Sequence, residues 1–234
     1  MTGELQCREK NKREARGMQF TMADLPVRQR YKILVSTVTP RPIAWVTTLG
    51  ASGVVNAAPY SFFNAVGDDP PLVVLGLLKD GAGQDKDTAT NILDNGEFVV
   101  NLVTEADMEA MNLSCADTPR DVSEVEYAGI AVEPSTIVAP PRIATSPVSF
   151  ECRLARKVEI GPRQIIVVGE VLVAHVADAF VADRDRLHFD TLGMKLVGRV
   201  HGPCTYVRNS DHFDLPRGAF DPDRLARLRG EGGA

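Results

Sequence analysis

Three short segments of the chain combine residue types that suit a planar ligand with a charged tail. They run from Pro40 to Thr48, from Asn56 to Asn64 and from Lys86 to Asn101. Aromatic side chains in the first two segments could form apolar walls, and hydroxyl side chains in all three could form hydrogen bonds. Arg41 and Lys86 add positive charge for a phosphate. Together these residue types predict a site for an anionic ligand with a flat, amide-edged ring.

Two backbone features of the same segments support this interpretation. If Thr88 begins a short helix, the free N–H groups of the first helical turn point at the same anion. Pro59 cannot donate a hydrogen bond to a neighbouring strand, which favours an edge or bend where main-chain groups are available to a ligand.

Each of these features also has a purely structural explanation. The aromatic residues could be ordinary core, and Lys86 could lie in a solvated turn. Thr47 and Thr48 suit a strand for reasons of their own. Arg41 could pair with a surface carboxylate, which would contribute little to stability. From spacing alone, a ligand site is the minority interpretation.

The usual signatures of other catalytic sites are missing from the sequence. It contains no G-x-S-x-G and no H-E-x-x-H motif. Lys86 is followed by Asp87 instead of the Ser or Thr of a phosphate-binding Walker loop. The four histidines share no metal-ligand spacing, and the four cysteines form no C-x-x-C pair. We therefore predict no metal site and no catalytic acid/base pair.

Composition limits the class of protein further. The 234 residues carry 26 Lys and Arg against 31 Asp and Glu, a net charge of −5, which disfavours a nucleic-acid partner. No apolar run approaches the roughly 20 residues needed to span a bilayer, so no membrane association is predicted. Scattered cysteines favour a reducing, cytoplasmic location.

The hydrophobic pattern predicts many strands with a few short helices. A helix is expected from Pro26, a hairpin turns at Gly50 to Gly53, and residues 116–147 are expected to cross the surface. The predicted later elements are strand Pro71 to Leu78, helix Asp87 to Leu93, strand Glu97 to Val103, a helix opened by a capping box at Thr104, strands Val148 to Ile160 and Gln164 to Val176, and a last strand Leu196 to Val207. Without a βαβ rhythm, this order favours an antiparallel barrel or sandwich with peripheral helices.

The segments R-P-I-A-W-V-T-T, N-A-A-P-Y-S-F-F-N and K-D-T, in this order, resemble the flavin-reductase-like family of FMN-binding split barrels, and in particular its flavoredoxin-type branch. Gly198 to Gly202, followed by Tyr206, resembles the last barrel strand of that family. The similarity covers about Tyr31 to Val207. It implies a mainly β fold, a six-stranded antiparallel split β-barrel with peripheral helices, that works as a homodimer with FMN in a groove at the dimer interface. The implied division is a flexible leader (1–24), the FMN-binding domain (25–210) and a C-terminal tail (211–234).

The resemblance also implies roles for individual residues. The residues implied to line the flavin ring and ribityl chain are Trp45, Val46, Thr47 and Thr48. Those implied to meet the polar edge of the ring, largely through main chain, are Asn56, Ala57 and Ala58. Those implied at the ribityl and phosphate end are Ser61, Phe62, Lys86 and Thr88, with Arg41 near the phosphate. His201 stands where the family often has Gly, and it either meets the nicotinamide or flavin ring or is a structural histidine.

The activity implied by the resemblance is that of an NAD(P)H:flavin oxidoreductase, which transfers hydride from NADH or NADPH to flavin. Reduced flavin or its electrons would pass to an acceptor such as a monooxygenase. Two alternatives stay open at the level of sequence. One is an FMN-binding electron carrier without its own NAD(P)H activity, and the other is a split-barrel protein that has lost its cofactor.

Overall fold

The computed structural model describes residues 17–202 and 204–229. Its α-helices are α1 (Val27–Thr37), α2 (Asp87–Asn95), α3 (Met108–Leu113), α4 (Glu124–Tyr127) and α5 (Pro222–Arg229). Its strands are β1 (Arg41–Pro42), β2 (Ala44–Leu49), β3 (Val55–Tyr60), β4 (Phe63–Asp68), β5 (Pro71–Leu78), β6 (Glu97–Leu102), β7 (Val132–Glu133), β8 (Arg142–Ile143), β9 (Val148–Glu159), β10 (Gln164–Val176), β11 (Val181–Asp183), β12 (His188–Phe189), β13 (Val197–Arg199) and β14 (Tyr206–Arg208). Short 3₁₀ turns are Met22–Asp24, Glu105–Asp107 and Asp178–Phe180.

The main sheet is antiparallel and curls back on itself. Its strand order is β3-β2-β6-β9-β10-β5-β4, so β3 and β4 lie at opposite edges. Only Ser61 and Phe62 join these two strands in the chain. Because three Cα–Cα steps span at most about 11 Å, the two edges of the sheet must meet. They do: β3 contacts β5, and the Gly76 N–H donates to the Phe62 carbonyl over 2.7 Å.

The core lies inside this curled sheet. Alternate residues of β5 and β10 point inward, including Leu75 and Val167, which are fully buried with Phe98 of β6. The helix α2 covers one side and buries Ala89 and Ile92 against the same cluster. Burial of this apolar face holds α2, and therefore its N-terminus, at a fixed place on the sheet.

A second apolar cluster covers the outer face of β2 and β3. It contains Trp45 and Ala57, together with Val125, Ile130 and Ile143 from the segment 116–147. The prediction that this segment crosses the surface is therefore wrong for these three residues. They are buried because the strand alternation leaves apolar side chains on the outer face that need a cover.

Two strand predictions change. The expected last strand, Leu196 to Val207, is a hairpin of β13 and β14, because the chain turns where Gly202 adopts φ +69°. The edge strand β4 was not expected, since its residues after Phe63 are almost all exposed and carry no inward alternation. With β4 the main sheet has seven strands, so the expected six are not confirmed. Part of the predicted leader (1–16) and the end of the predicted tail (230–234) lie outside the described residues.

A buried carboxylate fastens the segment 134–141 to β9. Glu151 is fully buried and accepts backbone N–H groups of Thr136, Ile137 and Val138 at 2.6, 2.7 and 3.2 Å, while His175 Nε2 lies 2.6 Å from its Oε1. Burial alone would raise the pKa of Glu151, but these hydrogen bonds outweigh it and lower the pKa to about 2.

We expect Glu151→Gln to lower the free energy of unfolding at pH 7 by about 2–3 kcal/mol, because a buried charge-assisted hydrogen-bond set is lost. The native pKa of about 2 lies below the ordinary value of 4.5. The stabilisation is therefore full above pH 4.5 and lost as the pH falls towards 2. Urea titrations between pH 7 and 3 measure this. Glu97→Gln is the control and should cost less, because it removes the charge from a carboxylate that accepts a single backbone N–H, that of Ala139 (2.9 Å). Equal losses of unfolding free energy for both variants would contradict the role of Glu151 as the main anchor of the segment 134–141.

Candidate functional site

A groove of about 880 Å³ lies at the seam where the edges of the curled sheet meet. This volume is in the range of small-molecule sites. Its walls are the end of β3 with the Ser61–Phe62 link, Gly76 and Leu78 of β5, the residues from Asp80 to the start of α2, and the segment from Ser114 to Arg120 with Glu124. Closure of the sheet thus brings the second and third predicted segments together.

Six of the predicted residues line this groove, namely Asn56, Ala58, Ser61, Phe62, Lys86 and Thr88. The Asn56 Nδ2 donates to the Thr88 Oγ1 over 2.8 Å, and the Tyr60 hydroxyl lies near the Thr88 side chain. Burial raises the pKa of Tyr60 to about 12, so this phenol stays neutral at physiological pH. Three neutral polar side chains, Asn56, Tyr60 and Thr88, therefore line the floor of the groove beneath the start of α2.

An apolar wall faces this floor. The ring of Phe62 lies 6.1 Å from that of Tyr31 on α1, tilted by 60°. A Cβ at Gly76 would stand 3.0 Å from the Phe62 Cβ, so a larger residue at this position would push the ring out of place. The wall thus offers a flat aromatic surface at a position that the close approach of β5 defines.

The predicted residues of β2 support the groove from behind. Val46, Thr47 and Thr48 are fully buried, and Trp45 is only 1% exposed. The Trp45 Nε1 donates to the Oγ of Ser114, a groove residue, over 3.0 Å.

Thr47 and Thr48 also have protein partners. The Thr47 hydroxyl donates to the Pro141 carbonyl (2.5 Å), and the Thr48 hydroxyl accepts from Asn91 (3.0 Å). Ala57 is also buried, and its N–H donates to Glu124 Oε2 (3.2 Å). These side chains fix the wall of the groove, and contact with a ligand stays a prediction for them.

Arg41, expected near the phosphate, is engaged by the protein. Its guanidinium donates to the carbonyls of Val35, Val38 and Val200 at 2.7, 2.7 and 2.9 Å and to the Ser61 hydroxyl at 3.3 Å. Burial lowers the pKa of Arg41. The side chain closes the last turn of α1 and orients Ser61, which itself lines the groove.

We expect Arg41→Lys to lower the free energy of unfolding by about 2–3 kcal/mol, because a lysine cannot reach all four acceptors and leaves buried carbonyls unpaired. Chemical denaturation measures the loss. Arg184→Lys, at an exposed ion pair with Asp178, should change it by less than about 0.5 kcal/mol. Unchanged stability together with weaker flavin binding would instead make Arg41 a ligand residue.

His201 is exposed on the hairpin between β13 and β14 and is not among the residues that line the groove. Sequence reasoning missed Glu124, which is 6% exposed, lines the groove and accepts from the Thr118 hydroxyl over 2.5 Å. Glu124 lies in a Pro-, Asp- and Ser-rich stretch without periodicity, so the sequence contained no signal for it. Tyr60 lies between Asn56 and Ser61 in the second of the three segments, and this position in the sequence could have indicated that it lines the groove.

Charge in the groove is concentrated where α2 begins. Lys86 Nζ lies 3.2 Å from Asp117 Oδ1, and Arg120 Nε lies 3.0 Å from Asp87 Oδ1. The first N–H groups of α2 have no acceptor within the helix and carry its positive dipole end. This end of the groove suits an anionic group.

Within residues 17–202 and 204–229, no cluster of His, Cys, Asp and Glu is arranged to hold a metal ion. In the same part of the chain no helix is long and apolar enough to cross a membrane.

Comparison with known proteins defines the class. The chain matches the flavin reductase like domain over residues 36–192. A Deinococcus radiodurans protein of uncharacterised function is 42% identical over 202 residues, 85% of this chain and 88% of that protein. The structure resembles 2-nitrobenzoate 2-nitroreductase of Pseudomonas fluorescens (35% identity, TM-score 0.79, 88% of this chain and 98% of that one). It also resembles nitrilotriacetate monooxygenase component B of Bacillus cereus (30% identity, TM-score 0.80, 85% of this chain and 98% of that one).

A curled antiparallel sheet with an open groove at its seam defines a split-barrel protein, and solved flavin reductases and flavoredoxins share this fold. The chain belongs to the flavin reductase-like family. The mainly β split-barrel prediction and the family resemblance are both confirmed. Membership supports a flavin-related oxidoreductase function.

Proposed function

We propose that the protein is an FMN-binding oxidoreductase that transfers hydride from NADH or NADPH to flavin. The observation that carries the proposal is the groove itself, whose lining combines the aromatic side chain of Phe62, several hydroxyl groups, and Lys86 at the start of α2. A flavin mononucleotide has the matching parts: a flat ring, a hydroxylated chain and a phosphate.

The residues of the groove fit such a ligand. Phe62 offers the ring an apolar surface, and Asn56 and Ala58 offer polar groups to its amide edge. The hydroxyls of Ser61 and Thr88 face the position of the ribityl chain. Lys86, with the free N–H groups at the start of α2, would hold the phosphate. The chemistry of this donor set supports FMN.

The chain's own residues would bind the flavin and orient it. Bound flavin supplies the redox chemistry, accepting hydride from a reduced nicotinamide and passing electrons onward, which agrees with the lack of a predicted acid/base pair. Tyr60, neutral because burial raises its pKa, places an uncharged polar group near Thr88. Arg41 holds Ser61, and Glu124 ties the wall at Ala57 to Thr118.

The experiment that tests the function is an absorption spectrum of the purified protein with added FMN, followed by titration with NADH and NADPH. We expect a bound-flavin spectrum and loss of the nicotinamide absorbance with at least one donor. Binding of FMN without oxidation of either donor would instead favour the electron carrier. Reduction of the bound flavin by a partner protein, followed by stopped-flow, would then identify the protein as an electron carrier. Absence of flavin binding would favour the cofactor-less alternative.

We expect Lys86→Met and Thr88→Ala each to weaken FMN binding by about 1–3 kcal/mol, roughly 5- to 150-fold, because the first removes a charged donor to the phosphate and the second removes a hydroxyl from the ribityl and phosphate end. Flavin fluorescence titration measures the dissociation constant. Lys157→Met, at the ion pair with Glu159 on β9, is the matched control and should leave it unchanged. FMN affinity that neither groove variant alters would contradict the site.

We also propose that the protein is a homodimer whose interface borders the groove. Three apolar side chains of α1 and that of the residue after it follow helical spacing on one face and stay exposed: Val27 (48%), Tyr31 (48%), Leu34 (47%) and Val38 (57%). An isolated stripe of this kind favours a protein partner. Tyr31 contacts Phe62, so a second subunit on this stripe would stand beside the ligand.

We expect Leu34→Glu to shift the protein from dimer to monomer and to weaken FMN binding with it, because a charge would be buried in the interface. Light scattering coupled to size exclusion measures the mass. Leu187→Glu, at an exposed leucine between β11 and β12, is the control and should leave the mass unchanged. A wild-type monomer, or a Leu34→Glu dimer, would contradict the proposed interface.

A partner that accepts reduced flavin completes the proposal. One structural neighbour is a component of nitrilotriacetate monooxygenase and another is a 2-nitrobenzoate 2-nitroreductase. We propose a monooxygenase or a nitroaromatic compound as the acceptor, and a cytoplasmic location where reduced nicotinamides are available. These acceptor classes can be separated by assaying reduction of 2-nitrobenzoate directly, without any second protein.

A further inference from the structure

The segment from Ser114 to Ser123, called the strap below, crosses the start of α2 at the edge of the groove. Both of its ends are buried: the Ser114 hydroxyl accepts from Trp45 Nε1, and the Ser123 hydroxyl donates to the Val55 carbonyl over 2.5 Å. The middle of the strap is exposed and meets α2 through charged side chains. The strap therefore has buried, hydrogen-bonded ends and an exposed, charged centre.

The centre of the strap already pairs with the cation that the phosphate needs. Lys86 Nζ lies 3.2 Å from Asp117 Oδ1, and both residues line the groove. The Asp117 side chain is 92% exposed and that of Lys86 is 45% exposed. Exposed pairs of this kind are weak, so a dianionic phosphate can displace the carboxylate.

The displaced carboxylate cannot leave the site. The neighbouring Thr118 donates its hydroxyl to Glu124 over 2.5 Å, and Glu124 is 6% exposed and bonded to the Ala57 N–H. This anchor keeps the backbone at Asp117 beside Lys86 whatever the side chain does. A phosphate on Lys86 then has a negative charge close by, which opposes its binding.

We propose that Asp117 is a specificity-determining residue: it is the resident counter-ion of Lys86, and it reduces the preference of the groove for phosphorylated flavin over riboflavin. This inference rests on the proposed flavin site. Riboflavin carries no phosphate and does not compete with Asp117. The carboxylate thus narrows the affinity difference between the two ligands and makes FMN easier to exchange.

The experiment measures dissociation constants of FMN and riboflavin for the wild type and for Asp117→Asn by fluorescence titration at low salt. We expect the variant to bind FMN about two- to fivefold more tightly, the range that a surface ion pair allows. Riboflavin affinity should stay the same. The gain should shrink at 0.5 M NaCl, because salt screens the charges.

Asp178→Asn is the matched control. It makes the same change in net charge at an equally exposed carboxylate, which pairs with Arg184 at 2.9 Å on another part of the fold. FMN affinity unchanged in this variant shows that the gain at Asp117 is local. Asp117→Ser should repeat the gain, and thermal unfolding of the variants should match the wild type because Asp117 is exposed.

Unchanged or weaker FMN binding by Asp117→Asn overturns the inference, as does an equal gain for FMN and riboflavin. These outcomes leave the proposed function standing, since the wild type still binds flavin. Failure of the wild type to bind either flavin overturns the proposed function, and the inference falls with it.

Discussion

The structure depends on the two-residue connection between opposite edges of its main sheet. Ser61 and Phe62 link β3 to β4, so the seven strands cannot form an open sheet and must curl until the edges meet. Closure places the end of β3 beside β5 and under the start of α2. The groove is what remains open at this seam, and the two connecting residues become its wall.

Buried polar contacts hold the strands around the seam in register. Asn101 is fully buried and donates to the Trp45 carbonyl (2.9 Å), while its Oδ1 accepts the Ile143 N–H (3.0 Å) and the Ser149 hydroxyl (2.8 Å). Together with Glu151, it links the outer segment 134–143 to the sheet. Because buried polar groups are costly unless paired, each such contact favours one arrangement of the wall over its alternatives.

The two cationic side chains that line the groove are engaged before any ligand arrives. Lys86 and Arg120 each pair with a carboxylate, carboxylates outnumber cations in the lining, and Arg41 nearby is bound to backbone carbonyls. A phosphate at the start of α2 would therefore exchange with existing ion pairs instead of filling a vacant positive site. Such an arrangement suits a ligand that binds and leaves, and it makes the strap part of the selectivity of the groove.

The sequence is enough to predict the strand-rich class, the bounds of β5, the long hairpin of β9 and β10, and the family, because alternation and short motifs are local properties. It also brought Asn56, Ser61, Phe62, Lys86 and Thr88 forward as groove residues. It could not distinguish these from Trp45 to Thr48, since neighbouring residues on a strand differ only in which face they present once the sheet closes. The folded chain is needed to show that Arg41 donates to backbone carbonyls and that Glu124 and Asp117 line the groove. Their partners lie up to 159 residues away in the chain, and long-range pairing leaves no periodic signal in the sequence.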